Sequence, residues 1–180
     1  MRQGADSPDF SALYDQTNAD LLAFLLRRCP TPEDAADCLA ETYLVAWSKR
    51  DRIPGGTDAR PWLFGVARNV MRRAHQRQNR FATATDALAD EVRAADALRL
   101  DLLGQEQERL RDALNDLADI DREIITLIAW DELTPAEVAQ VLGLSANVVR
   151  VRAHRARARL RALLGASAPE NEQSSVESGL

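Results

Sequence analysis

The residues best suited to chemistry in this sequence are arginines, and their spacing points to binding rather than bond-making. From Val148 to Arg161 the segment VVRVRAHRARARLR contains no acid. At helical spacing Val149, Ala153, Ala156, Leu160 and Leu163 fall on one side, and Arg150, Val151, His154, Arg155, Ala158 and Arg161 fall on the other. Arg152, Arg157 and Arg159 lie along the flanks. Major-groove reading needs this mixture, because guanidinium groups match phosphates and guanine edges while small or apolar side chains tolerate close approach. The competing reading is a solvated arginine-rich surface helix.

The elements around that helix decide between the two. Thr134, Pro135 and Glu137 form a capping box with proline at the first helical position, and that short helix ends at Gly143. Ser145 is a second N-cap close behind, with Asn147 in the first turn. Two helices separated by so few residues predict a helix-turn-helix. Turn, caps and one-sided charge together favour duplex DNA.

A second basic zone lies upstream. A helix predicted from about residue 59 places Arg68, Asn69, Arg72, His75 and Gln76 outward, with Trp62 and Arg73 on an adjoining flank. It follows a loop at 51–58, DRIPGGTD, whose Pro54, Gly55 and Gly56 predict irregular backbone. Arginines and an asparagine beside such a loop suit a single nucleic-acid strand. Trp62 taken alone reads as core. The loop matches neither of the glycine-rich phosphate-binding spacings, which removes the kinase and nucleotidase readings.

A third surface has the opposite charge. Thr31, Pro32, Glu33 and Asp34 open a helix reaching about residue 50, with Ala35, Cys38, Leu39, Thr42, Val45 and Ala46 inward. Asp37, Glu41, Leu44 and Ser48 line its outer face, with Asp34 and Trp47 at the edges. Two readings stand: a solvated acidic face, or a partner site for a basic surface with Leu44 and Trp47 as anchors.

The net charge of −5 conceals this alternation of acidic and basic zones, and Lys49 is the only lysine. His75 and His154 are isolated, so no catalytic assignment, metal site or cofactor is expected, and the protein reads as a non-enzyme. Cys29 and Cys38 lack ligand spacing and read as small packed side chains. The N-terminal residues lack a signal pattern and no apolar run is long enough to span a membrane, so a cytoplasmic protein without membrane insertion is expected. The fold class predicted is all-α. Two small helical domains, 7–82 and 105–164, are joined by an acidic, flexible linker at 83–104, and a disordered tail at 165–180 follows.

Three motifs, in order, carry a family resemblance. DAADCLAETYLVAW at 34–47, RPWLFGVARN at 60–69 and the helix-turn-helix ending HRARARL at 154–160 resemble the extracytoplasmic-function (ECF) sigma factors of bacterial RNA polymerase, of the sigma-70 family. The resemblance implies a region 2 bundle and a region 4 helix-turn-helix that together direct promoter-specific initiation. It implies that Asp34, Asp37, Glu41, Leu44 and Trp47 meet the clamp helices of the largest core-polymerase subunit, with the flap as a further contact. It also implies that Ile53, Gly55, Gly56, Arg60, Trp62, Arg68, Asn69, Arg72 and Arg73 melt the minus-10 element and capture its single strand. The minus-35 duplex would be read through Ser145, Asn147, Arg150, Val151, Arg152, His154 and Arg155. An anti-sigma factor is an expected partner. The chain departs from many relatives at Ala40, which stands where they carry glutamine, and at Val148 and Val151, which stand where they carry threonine and serine. The alternative from another class is a free-standing helix-turn-helix regulator that binds duplex DNA without polymerase.

Overall fold

The computed structural model describes residues 10–82 and 105–166, and among them all regular structure is helical. The expected linker and most of the expected tail lie outside these residues. Helix α1 (Phe10–Leu26) buries Leu13, Thr17, Leu21, Phe24 and Leu25, one stripe at helical spacing. Helix α2 (Pro32–Ser48) starts where the sequence predicts: the Thr31 hydroxyl accepts from the Asp34 backbone N–H at 3.0 Å. Tyr43 is buried on α2, although the sequence pattern did not mark it as inward. Its hydroxyl shares a 2.9 Å hydrogen bond with Thr17, so the phenol is satisfied at the α1–α2 contact.

The segment expected to be irregular holds two short 3-10 turns, Arg50–Arg52 and Gly56–Asp58. Gly56 has φ +62°, a left-handed conformation that glycine adopts without a Cβ penalty. Helix α3 (Ala59–Ala82) then crosses both preceding helices, burying Leu63, Phe64, Ala67 and Val70.

The second half comprises α4 (Gln105–Asn115), α5 (Asp119–Ala129), α6 (Pro135–Leu142) and α7 (Ala146–Ala166). The capping box is present as read. Thr134 accepts from the Glu137 N–H at 3.3 Å, and the Thr134 N–H donates to the Glu137 carboxylate at 2.8 Å. Gly143 ends α6 at φ +67°, and the Ser145 hydroxyl accepts from the Val148 N–H at 3.3 Å. Leu110 is exposed on α4. Helix α7 runs two residues past the expected end at 164.

The two halves share one apolar core. It runs from Leu21, Phe24, Leu63 and Phe64 to Leu127, Leu133, Val138 and Val149 without interruption. Full burial of a Leu or Phe side chain contributes about 1.5–3 kcal/mol, so Phe64 and Leu133, both inside it, are substantial terms in the contact. Helix α3 packs directly against α6 at Gly65, where a Cβ would sit in ordinary van der Waals contact, 3.8 Å from the Val141 Cα. A smaller cluster of Ala113, Leu114, Leu117, Ile125, Ala156 and Leu160 fixes α7 on α4 and α5.

Candidate nucleic-acid interface

Burying Val149, Ala153, Ala156 and Leu160 forces the other side of α7 into solvent, as the spacing predicts. Ser145, Asn147, Val148, Arg150, Val151, His154 and Arg155 are all exposed, so the turn and one helix face form a continuous surface. Arg152 differs from its neighbours. It is half-buried and donates to Asp121 on α5 at 2.7 Å, a contact inside this half.

The α3 face is less open. Asn69, Arg72 and Arg73 are exposed, as are Gly55 and Gly56 at its leading edge. Ile53, expected to line a pocket at that loop, is only 8% exposed and belongs to the core, because the first 3-10 turn folds it inward. Trp62 is half-buried and packs against the core. Arg60 donates to Asp20 at 3.0 Å and to the Asp131 carbonyl at 3.1 Å. Arg68 faces outward from its own bundle yet forms a two-pronged pair with Glu123 on α5, at 2.5 and 2.8 Å. That hydrogen-bonded carboxylate raises the Arg68 pKa above its ordinary value and outweighs the opposing effect of burial.

On the opposite side of α3, α2 exposes Asp37, Leu44 and Trp47, with Leu44 69% and Trp47 54% accessible. Asp34 and Glu41 are half-buried in a cleft of about 450 Å³ between α2 and α3. There Arg77 donates to Glu41 at 3.3 Å and Gln78 donates to Asp34 at 3.0 Å. Neither partner was identifiable from the sequence, since both lie far from the acids they orient. The Phe10 ring meets Trp47 edge-on at 5.0 Å, and the Arg50 guanidinium lies over Trp47 at 5.5 Å. The tryptophan is thus supported from beneath while its outer surface stays open.

Residues 13–81 match the family model of Sigma-70 region 2, and residues 107–160 match that of Sigma-70, region 4. The RNA polymerase sigma factor NccH of Alcaligenes xylosoxydans xylosoxydans is 34% identical over 84% of this chain and 85% of its own length. The chain belongs to the ECF sigma factors of the sigma-70 family. The ECF RNA polymerase sigma factor SigL of Mycobacterium tuberculosis is 33% identical over 89% of this chain and 91% of its own. The solved structure of CnrH in complex with the cytosolic domain of CnrY is similar with a TM-score of 0.60 and 30% identity, covering 88% of this chain and 89% of that one. Among the described residues no helix is long and apolar enough to cross a membrane.

For this sigma factor the two matches fall on α1–α3 and α4–α7, so the Arg68–Glu123 pair joins region 2 to region 4. A larger polar joint sits beside it. Asp131, in the α5–α6 loop, has a fully buried carboxylate paired with Arg27, and with Arg28 at 2.8 Å. Arg28 also donates to the Phe24 carbonyl at 3.0 Å and to Thr126 at 3.2 Å. Burial lowers the Arg28 pKa from its ordinary value, with Asp131 opposing that shift. The next residue, Glu132, has φ +54°, a left-handed turn uncommon for a side chain of this kind. The sequence reading missed this hub. Asp131 lies 103 and 104 residues from its arginine partners, and no local pattern encodes such a pair.

Proposed function

We propose that this ECF sigma factor binds core RNA polymerase through Asp34, Asp37, Glu41, Leu44 and Trp47 and directs it to promoters in the cytoplasm, without catalysing a reaction itself. The carrying observation is the exposure of Leu44 and Trp47 among those acids on α2. An apolar anchor ringed by carboxylates fits a basic helical partner, the polymerase clamp helices.

The exposed α7 face reads the minus-35 duplex, with Arg150 and Arg155 on base edges and Val151 against a thymine methyl. Gly55, Gly56, Arg60, Trp62, Asn69 and the α3 arginines hold the melted minus-10 strand. Capture of an extruded base favours the open state, so strand separation needs no nucleotide hydrolysis by this chain. Ile53 supports that loop from the core and does not touch the base. A protein partner that regulates this chain, an anti-sigma factor, is part of this reading, and the complex of CnrH with the cytosolic domain of CnrY supports a protein partner.

The test is reconstitution with bacterial core polymerase and a promoter library. Co-elution and template-selective transcription are expected, and both should be lost when Asp37 and Glu41 are reversed to lysine. Binding to duplex promoters unchanged by polymerase, with no transcription, would instead identify a free-standing regulator.

A further inference from the structure

We propose that the cavity bounded by the end of α1, α4 and α5 binds a nucleoside diphosphate, with Arg111 at its phosphates and Trp130 stacked on its base. Neither residue belongs to the polymerase or promoter contacts proposed above, so the two readings can fail independently.

The cavity holds about 390 Å³, toward the smaller end of the roughly 300–1,000 Å³ typical of small-ligand sites. Its cationic lining comes from three elements: Arg27 and Arg28 follow α1, Arg111 lies on α4 and Arg122 on α5. Two acids, Asp119 and Glu123, share that lining, yet neither opposes an anion strongly. Glu123 gives both carboxylate oxygens to Arg68, at 2.5 and 2.8 Å. Asp119 is 94% exposed where it pairs with Arg122, so that pair is screened by solvent and readily exchanged for another anion. With Asp131 behind Arg27 and Arg28, five guanidinium groups meet three carboxylates, a surplus of two positive charges. Arg111 is the member left open, because among the described residues no carboxylate pairs with it.

The ligand class follows from what stands beside that charge. Trp130 ends α5 at the rim of the cavity and is 47% exposed, and among the described residues neither a ring nor a guanidinium stacks on it. Leu114 adds an apolar wall. A simple anion would leave the indole unused, and an uncharged aromatic would leave Arg111 unused. A base carrying phosphates engages both, by stacking and by charge-assisted hydrogen bonds. Two surplus charges suit a diphosphate. Every base has a π-face, so the indole selects the class of ligand rather than one base. A ligand held here stabilises the folded chain once its concentration exceeds Kd, which makes this sigma factor responsive to nucleotide level.

The experiment is equilibrium dialysis of the full chain against GDP, ADP, guanosine and pyrophosphate. GDP and ADP should bind within about 3-fold of each other, and guanosine and pyrophosphate roughly 10-fold or more weakly, since each lacks one of the two contacts. Arg111→Gln and Trp130→Ala should each weaken GDP binding roughly 10-fold or more, while Trp130→Phe keeps an aromatic face and most of the affinity. Undiminished binding in both folded variants would overturn the proposal. Pyrophosphate binding as tightly as GDP would reduce the cavity to an anion site and overturn the nucleotide assignment. A 5′-phosphorylated single-stranded 20-mer that displaces labelled GDP at lower concentration than GDP itself does would assign the cavity to a strand end and overturn it as well. A second measurement needs no variant: GDP should shift the indole N–H resonance of Trp130 in the parent chain and leave those of Trp47 and Trp62 in place. Shifts confined to Trp47 or Trp62, or no saturable binding by about 1 mM GDP, would equally overturn the proposal.

Discussion

Helices α3 and α7 are both arginine-rich, yet they differ in what their arginines are free to do. On α7 the side chains of Arg150 and Arg155 are exposed, and the neighbouring His154 is exposed with them. On α3, Arg68 is held by Glu123 and Arg60 by Asp20 and the Asp131 carbonyl. The same residue type is therefore open at Arg150 and Arg155 of α7 and neutralised at Arg60 and Arg68 of α3. Composition marks which surfaces can bind a polyanion, and the fold decides which of them is available first.

The most severe way to break this comparison is at the buried Asp131 carboxylate. Asp131→Ala leaves Arg28 with its burial cost and without its carboxylate, and losing one partner of a buried pair costs about 3–5 kcal/mol. If the halves can part, Arg28 regains water and the loss stops at the free energy of opening. Urea denaturation followed at Trp130 and by helical circular dichroism distinguishes the two: one cooperative transition shifted by the full amount, or a smaller shift with an expanded native state.

Next in size are the open arginines. Arg150→Ala or Arg155→Ala should cost about 1–3 kcal/mol of discrimination at one position of the minus-35 element, measured by competition between promoter variants. An equal loss on every sequence would make those residues phosphate positioners. On α3 the order among arginines should depend on the state. In the free chain Arg72→Ala should weaken single-strand binding and lower the salt slope by about 0.7, whereas Arg68→Ala should change little while Glu123 holds that side chain. Equal effects of both substitutions in the free chain would erase the contrast between covered and open positions.

A smaller effect belongs to the turn that presents α7. Thr134→Ala removes the acceptor for the Glu137 N–H and should cost about 1 kcal/mol, read as a shift in the urea midpoint with an unchanged slope. This feature was fully legible in the sequence, because a capping box, a left-handed Gly143 and a second N-cap are local chemistry within a dozen residues. The buried stripe of α7 was legible for the same reason, since its periodicity is carried by the helix itself. What stayed hidden is long-range. Arg68 was correctly assigned to the outward face of its own bundle, but nothing near it indicates that Glu123, 55 residues on, covers that face. Asp131 reads as an ordinary loop acid until the fold brings three arginines to it. Tyr43 was left unassigned and is buried, because helical spacing gives a face but not what packs against it. Ile53 was placed at the strand-binding loop by the family resemblance alone, whereas a 3-10 turn folds it into the core.

The smallest expected effect tests whether the two halves unfold as one unit. Burial pushes the Cys29 thiol up to about 12 from an ordinary 9.0, with the adjacent Cys38 adding to the shift. Burial raises Cys38 and Tyr43 as well. All three lie in α1–α2 or the turn between them, and residues 105–166 contain no cysteine, tyrosine or lysine. Below pH 9 these groups keep their protons in both the folded and unfolded chain, so they contribute no pH dependence. Between about 9 and 12 the unfolded chain gives up the Cys29 proton while the folded chain retains it, so the folded state binds more protons and stability falls as pH rises. The loss should be modest and should shrink in Cys29→Ala. Its location is more informative than its size. Because the two halves share one core, alkaline pH should weaken α7 together with α1–α3, and hydrogen exchange at the Val149 and Ala153 amides should accelerate in step with that at Leu21. If exchange speeds up in α1–α3 while α7 is unaffected, the regions behave as separate units and the shared core does not couple them.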